Sequence, residues 1–451
     1  MTTPAPVHTS KKEEAMKNLL PPTAMSRRGF LALTGAVTLT ASVSACAVGG
    51  GNASASGGST VKFWDMPWGD KNYSDAAQSL AQAYKPGDGM PGVSYQQVNW
   101  DGFNQTFSSA IASNTGPAVS TGGGFQAFQF AKQGAIAYAD NLIDSFKKDG
   151  TYDDFLPHTL DAMKTSDGYV GIPWNLDVQV FWYRKSILDQ IGATPPQSWD
   201  DVLDVAKKAS AKGYVGFGIS GGSGNYGPMA VLSLMINNGG GLFNSNGDLD
   251  IVNDRNAEAV DFLTELVRQG VVDPGSVSMK DDDLTTLWTN KKVALGFQSP
   301  AFNNVVGDEK DVLVTNPLKS HRGEVGGLYY VNNIMMYKNT PSQAGSEAFT
   351  SYYIKNMKTL WQKGVMQGLP ALKSITELPE FKANAQNTEV VEKWQPICKT
   401  TAAQSSALTA KLATIDGGQA MTDFCQTVLA GKTPSQTILT KLESDIKAAI
   451  S

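Results

Sequence analysis

Asp167-Gly168-Tyr169-Val170-Gly171-Ile172-Pro173-Trp174-Asn175-Leu176-Asp177, running on through Val178-Gln179-Val180-Phe181-Trp182-Tyr183-Arg184-Lys185, is the most specific stretch of this chain. Thr194-Pro195-Pro196-Gln197-Ser198-Trp199-Asp200-Asp201 follows it closely. On either side, short apolar strands alternate with amphipathic helices. Upstream, Val61-Lys62-Phe63-Trp64 opens as a strand, and Tyr73 to Tyr84 carries apolar residues at helical spacing. Val93 to Val98 alternates as a strand. Asp101 to Ser113 reads as a helix stopped by Asn114-Thr115-Gly116-Pro117. Downstream come a helix over Trp199 to Ala211, a strand over Val215 to Ile219 and a helix over Ala257 to Gln269. Between them Leu242 to Ile251 reads as a hairpin turning at Asn246-Gly247. The last hundred residues are largely helical. This alternation predicts an α/β fold with mostly parallel sheets, and 451 residues exceed one ordinary core, so two lobes are expected.

The stretch from Asp167 closely resembles the extracellular solute-binding proteins of carbohydrate ABC importers, the maltose-type family. There a "DGK-x-YGIP" turn leads the chain across a hinge, followed by a "YNK"-like strand and a "P-x-TW" helix start. Tyr183-Arg184-Lys185 departs from that pattern at its middle residue. Further landmarks fall in family order: Asn114 to Val119 for "G-x-PDV", with Ala118 replacing Asp, and Asn290 to Leu295 for the "GKxAM" strand of a second crossing. Gly326-Gly327-Leu328-Tyr329 precedes a third crossing, and Gly431 to Ser435 begins the last helix. The resemblance covers about residues 61 to 450. It implies a two-lobed, type II periplasmic-binding-protein-like fold with several hinge crossings and a ligand cleft between the lobes. Carried over, lobe one is 60–173 plus 296–332, and lobe two is 174–295 plus 333–451.

The N-terminus reads as an address. Ser26-Arg27-Arg28-Gly29-Phe30-Leu31 precedes an apolar run to Val43, too short to span a bilayer. The paired arginines resemble a twin-arginine export signal, and Val43-Ser44-Ala45-Cys46 looks like a lipobox whose Cys46 becomes lipidated. Residues 1–45 are then a signal peptide. Residues 46–59, nearly all Gly, Ser, Ala and Asn, are the lipidated cysteine and a flexible tether. Outside the cytosol Cys398 and Cys425 either pair or remain as two buried free thiols.

Composition narrows the function. After Ala45 the chain holds 32 basic and 40 acidic side chains, a net of −8, which gives no basic footprint for nucleic acid. A pyranose has apolar C–H faces and a hydroxyl edge, so its receptor needs aromatic platforms with planar polar groups. Where the family places its cleft stand Trp64, Asp65, Trp68, Asp70 and Lys71 after the first strand, and Phe125 and Gln126 after Gly122-Gly123-Gly124. Trp174 and Asp177 lie at the first crossing, with Asn225 and Tyr226 after the Gly-rich loop. Ser299 and Phe302 follow the second crossing, and Gly327 and Tyr329 precede the third. Trp182, Trp199 and Trp361 read as packing residues. The resemblance implies no enzyme activity and no cofactor. It implies a monomer that takes a sugar or oligosaccharide to ABC permease subunits, held by membrane lipid through Cys46 at the outer face of the cytoplasmic membrane.

Rival readings have specific requirements. Gly218-Ile219-Ser220-Gly221-Gly222 matches a serine-hydrolase elbow, but no helix follows Ser220 directly and only His321 lies downstream. Gly216 to Gly221 matches G-x-G-x-x-G without the helix that dinucleotide binding needs. Asn244, Asn246, Asp248 and Asp250 straddle a turn without a complete calcium loop. The alternative class is a secreted carbohydrate-active hydrolase, with Asp65 and Asp177 facing each other as catalytic carboxylates.

Overall fold

The computed structural model describes residues 60–100, 102–222, 224–402, 411–416 and 418–450. The export signal, Cys46 and the tether lie outside the described residues. The strands are β1 (Val61–Asp65), β2 (Val93–Gln97), β3 (Val119–Gly122), β4 (Ile172–Val178), β5 (Val180–Arg184) and β6 (Val215–Phe217). They continue with β7 (Val293–Gln298), β8 (Val312–Val314), β9 (Gly327–Met336), β10 (Leu369–Pro370) and β11 (Cys398–Lys399). Two sheets collect them. The first has the order β10-β4-β9-β3-β1-β2, with β11 beside β9, and the second has the order β6-β7-β5-β8.

The local periodicities translate directly into elements. In β1 the side chains of Val61 and Phe63 are fully buried on one face, and Phe63 packs its edge on Phe349. The expected helices form over Tyr73–Gln82, Phe103–Ala112, Trp199–Ser210 and Asp254–Arg268. Two of these starts are capped by polar side chains, Ser198 accepting from the Asp201 amide and Asn253 from the Asn256 amide. The hairpin over Leu242 to Ile251 reduces to one bridge between Phe243 and Leu249. Its turn is held by Asn244 Oδ1, which accepts the Asn246 and Asp248 amides.

The expectation of mostly parallel sheets is corrected. β1 runs parallel to β2 and β3, β6 to β7, and β11 to β9, but β9 is antiparallel to both β3 and β4. β5 is antiparallel to β7 and β8. The cause is the crossing chain: β4 in the first sheet passes through the single residue Gln179 into β5 in the second, so strands enter from both ends. β4 stays in the first sheet to Val178, β7 stays in the second to Gln298, and β9 runs unbroken through 332/333.

A buried charge ties the second sheet together. Arg184, fully buried at the end of β5, lies 2.8 Å from both Asp308 and Asp311 and donates to the Trp288 carbonyl. Trp199 is also fully buried, stacked on Phe262 at 4.6 Å with its Nε1 donating to Asn237, which fits its reading as a packing residue.

Candidate ligand-binding site

In open α/β sheets, ligands bind beyond the carboxyl ends of the strands. Here β1, β2 and β3 end together, and the loops that follow carry Trp68, Trp100 and Gly123-Gly124. Trp68 is held firmly. Its Nε1 donates to Thr121 Oγ1 at 2.9 Å, and that hydroxyl donates to Asp65 Oδ1 at 2.6 Å. The Tyr73 and Tyr95 hydroxyls donate to Asp65 Oδ2 at 2.9 and 3.2 Å, and the Met66 amide reaches Oδ1 at 3.0 Å. Burial pushes the Asp65 carboxyl up to about 6 against these four stabilising donors. Its acceptor capacity is spent inside the protein. Asp65 thus orders the loop carrying Trp68.

The bulge in β4 between Pro173 and Asn175 takes Trp174 out of register with β9. Trp174 meets Trp68 edge to face at 5.5 Å and Trp361 at 6.3 Å. Further along β4, Asp177 accepts from Gln179 Nε2 at 3.2 Å and is hydrogen-bonded to Ser299. Ser299 Oγ lies 3.4 Å from the Tyr226 hydroxyl. Asp177, Ser299 and Tyr226, chosen from three distant segments, therefore meet. Desolvation raises the Asp177 carboxyl to about 6, and the same cause raises the Tyr226 phenol.

The other sequence-chosen residues divide. Gln126 opens the helix Gln126–Lys132 and accepts the Gly123 amide through Oε1, with Phe125 before it half-buried. Asn225 is exposed; its backbone amide donates to Asp281 at 3.0 Å. Trp64 is buried and packs edge-on against Phe107 at 5.3 Å. Phe302 is buried against Trp288 and Trp182. Asp70 uses both oxygens on Asn72, ahead of the helix Tyr73–Gln82, and Lys71 beside it is exposed. Gly327 permits close approach of Cys398 and Trp394, and Tyr329 is buried, its phenol pushed up to about 12. Cys398 and Cys425 are both free.

Sequence reading missed several groups. Asp281 Oδ1 accepts Ser220 Oγ at 2.5 Å and its Oδ2 accepts the Asn225 and Tyr226 amides, so it fixes the Gly-rich loop. Gly224, at φ 154°, lies so close that a Cβ there would come within 2.3 Å of that carboxylate. Asp416 is buried, accepts from Thr401 and is raised to about 7 by desolvation, and its charge adds to the upward push of burial on the Tyr330 phenol. Gln126 Nε2, Trp174 Nε1, Gln179 Oε1 and Asn333 Oδ1 are buried without a protein partner. Unpaired buried polar atoms are costly. The signal for Trp100 was available: like Trp68, it is a tryptophan in a polar loop after a strand.

The rival motifs acquire structural meanings. Ser220 is bound to Asp281, the next helix begins only at Tyr226, and His321 pairs with Asp200. Asp65 and Asp177 belong to separate hydrogen-bond networks. Among the described residues no group of three His, Cys, Asp or Glu is placed to hold a metal, and no helix is long and apolar enough to cross a membrane. A cavity of about 610 Å³, lined by Gly240, Phe243, Arg255, Arg322, Glu324 and Lys399 among others, contains none of the residues chosen from sequence.

Comparison with known proteins agrees with this architecture. A sugar transporter structure from Arthrobacter chlorophenolicus A6, with bound laminaribiose, is 48% identical, covers 86% of this chain and 99% of its own, and superposes with TM-score 0.83. Maltose-bound MalE3 of T. maritima, 17% identical over 86% of this chain and 100% of its own, shares the fold at TM-score 0.72. A putative binding protein of Brucella abortus is 24% identical over 56% of this chain; the match spans 62% of that relative's length. The profile of the family described as bacterial extracellular solute-binding protein matches residues 70–358. With that match and the 48% identical relative, the chain belongs to the bacterial extracellular solute-binding protein family.

Proposed function

We propose that this protein captures a short oligosaccharide, with a glucose disaccharide of the laminaribiose type as first candidate, and delivers it unchanged to an ABC permease. The observation that carries the reading is the meeting of Asp177, Ser299 and Tyr226, with Trp68 in the loop beyond β1. An indole suits the C–H surface of a pyranose, while carboxylate, amide and hydroxyl groups suit its edge; fully buried Trp174 backs Trp68 from the interior. The relative that holds laminaribiose supports the choice of sugar. In the proposed cycle, the bodies built on the two sheets close about the crossing at Gln179, and the closed monomer is the form the permease accepts. Lipidation at Cys46 holds the protein at the outer face of the cytoplasmic membrane, with 47–59 as tether.

Calorimetry with laminaribiose, cellobiose, maltose and xylobiose tests this, followed by chromatography of the recovered sugar. Saturable binding to the protein with the sugar recovered intact is the expected result. Absence of binding to every sugar, or the appearance of new reducing ends, overturns the reading; the second outcome favours the hydrolase.

A further inference from the structure

The Gly-rich loop before Tyr226 has the composition of an anion cradle, and one of the chain's own carboxylates fills it. Gly224 and Asn225 lead into the helix Tyr226–Asn237, whose first amides need acceptors from outside the helix. Asp281 supplies one. Its Oδ2 accepts the Asn225 amide at 3.0 Å and the Tyr226 amide at 3.4 Å, and its Oδ1 accepts the Ser220 hydroxyl at 2.5 Å. Negative charge is also favoured at a helix N-terminus. The amides of Gly221 and Gly222 donate to the Ser276 and Met279 carbonyls, at 2.7 and 2.8 Å, in the segment leading to Asp281. Two glycines make this close approach possible. A Cβ on Gly224, at φ 154°, would come within 2.3 Å of the Asp281 carboxylate, and one on Gly227 within 1.7 Å of the Ser220 carbonyl oxygen.

This clamp bears on the candidate site. The backbone amide that Asp281 holds belongs to Tyr226, whose hydroxyl lies 3.4 Å from Ser299 Oγ, and Ser299 is hydrogen-bonded to Asp177. Asp281 opens the helix Asp281–Thr289, which leads through β7 to Ser299. One run of chain, 281–299, therefore presents Ser299 at its end and fixes Tyr226 from its beginning. Asp281 itself spends both oxygens on the protein. A side chain whose backbone is already fixed loses less freedom when a ligand arrives.

From this arrangement we infer that Asp281 is a positioning residue for ligand binding: without touching the sugar, it holds the Tyr226 hydroxyl in line with Ser299 and Asp177. The inference rests on the proposed sugar cleft and assigns part of its affinity to a carboxylate outside it.

The test is a double-mutant cycle read by calorimetry, using whichever of laminaribiose, cellobiose, maltose and xylobiose the wild-type protein binds most tightly. Asp281→Ala should weaken binding about tenfold, because a loosened Tyr226 must be reordered by the ligand. In a Tyr226→Phe background, which lacks the hydroxyl, the same change should cost less than about threefold. Asp281→Asn should recover most of the affinity, since its carbonyl oxygen can accept the two amides while its amide group donates to Ser220. Gly224→Ala leaves Asp281 in the chain but crowds its carboxylate. It should reproduce the loss, and it takes the place of Asp281→Ala in the cycle if that variant does not fold. Urea melts of every variant separate lost folding from lost affinity. Unchanged affinity in either folded variant, or an equal loss with and without the Tyr226 hydroxyl, overturns the positioning role and leaves the cleft standing. No binding of any of the four sugars to wild type overturns the cleft and the role with it.

Discussion

Trp68 and Asp65 are joined through one hydroxyl: Thr121 Oγ1 accepts from the Trp68 indole at 2.9 Å and donates to the Asp65 carboxylate at 2.6 Å. A carboxylate with no acceptor capacity left for a ligand thereby fixes the orientation of an aromatic side chain that has little other polar anchorage. Asp65 is a positioning residue. Thr121→Val should leave Trp68 Nε1 and one carboxylate oxygen short of a partner, lowering stability by about 1–3 kcal/mol. Sugar affinity should fall by about fivefold or more, since a loosened platform must be reordered on binding. Thr121→Ser, which keeps the hydroxyl, should restore both; urea melts and calorimetry read them separately.

Arg184 should prove among the least replaceable residues of the second sheet. Its guanidinium is fully buried, with two carboxylates at 2.8 Å and the Trp288 carbonyl as partners. Arg184→Ala should cost about 3 kcal/mol because it removes the buried cation and leaves Asp308 with Lys291 and Asp311 with the Ser186 donors alone. Arg184→Lys should recover only part of this, as a point charge cannot serve three acceptors in the geometry of a planar fork. Chemical denaturation of both variants decides it. Equal stability of the lysine variant and wild type would contradict the geometric argument.

What could be read in advance follows physical range. Strands and helices such as β1 and Trp199–Ser210 were legible because periodicity and capping are local signals. The mixed pairing around β9 was not, since it joins residues more than two hundred positions apart, as in Ser120 opposite Met335. Asp177 and Ser299 were placed together by family landmarks. Trp64 and Phe302 were indistinguishable from ligand contacts until Phe107 and Trp288 were seen packed on them. Asp281 was hidden for another reason: Asp281, Asp282 and Asp283 together read as the acidic first turn of a helix, and only tertiary structure selects the one that grips the Gly-rich loop.

The two thiols should be inert in the folded protein. Cys425 is fully buried, its thiol pushed up to about 12, and burial raises Cys398 as well. The thiolate is the reactive form, so iodoacetamide should label neither at pH 7.5 until denaturant is added. Dithiothreitol should leave the melting temperature unchanged. A drop in melting temperature on reduction would instead reveal a bridge between them.

Binding and stability should respond oppositely to the desolvated carboxyl of Asp177, one of three that burial raises to about 6 or 7. Desolvation raises Asp65 and Asp177 to about 6 and Asp416 to about 7, from an unfolded value near 3.8. A carboxyl with a folded value above its unfolded value binds its proton more tightly when folded. Its contribution to stability is therefore present below the unfolded value and is lost as pH rises through the folded one. The melting temperature should consequently fall between about pH 4 and pH 7 and level off above that. Asp149 and Glu258 act in the other direction, each held down to about 2 chiefly by hydrogen bonds to Lys355 and Arg322. Their stabilisation is lost only in stronger acid, as pH falls towards 2, and both pairs are partly exposed, so it is small. Asp177→Asn removes one desolvated charge and should raise stability at pH 7.5 by about 1–3 kcal/mol. The same change removes the full acceptor strength offered to a sugar hydroxyl, and affinity should fall by about tenfold. Melting curves and titrations at pH 5 and pH 7.5 test the pair together: a variant that gained stability without losing affinity would remove Asp177 from the ligand contact surface.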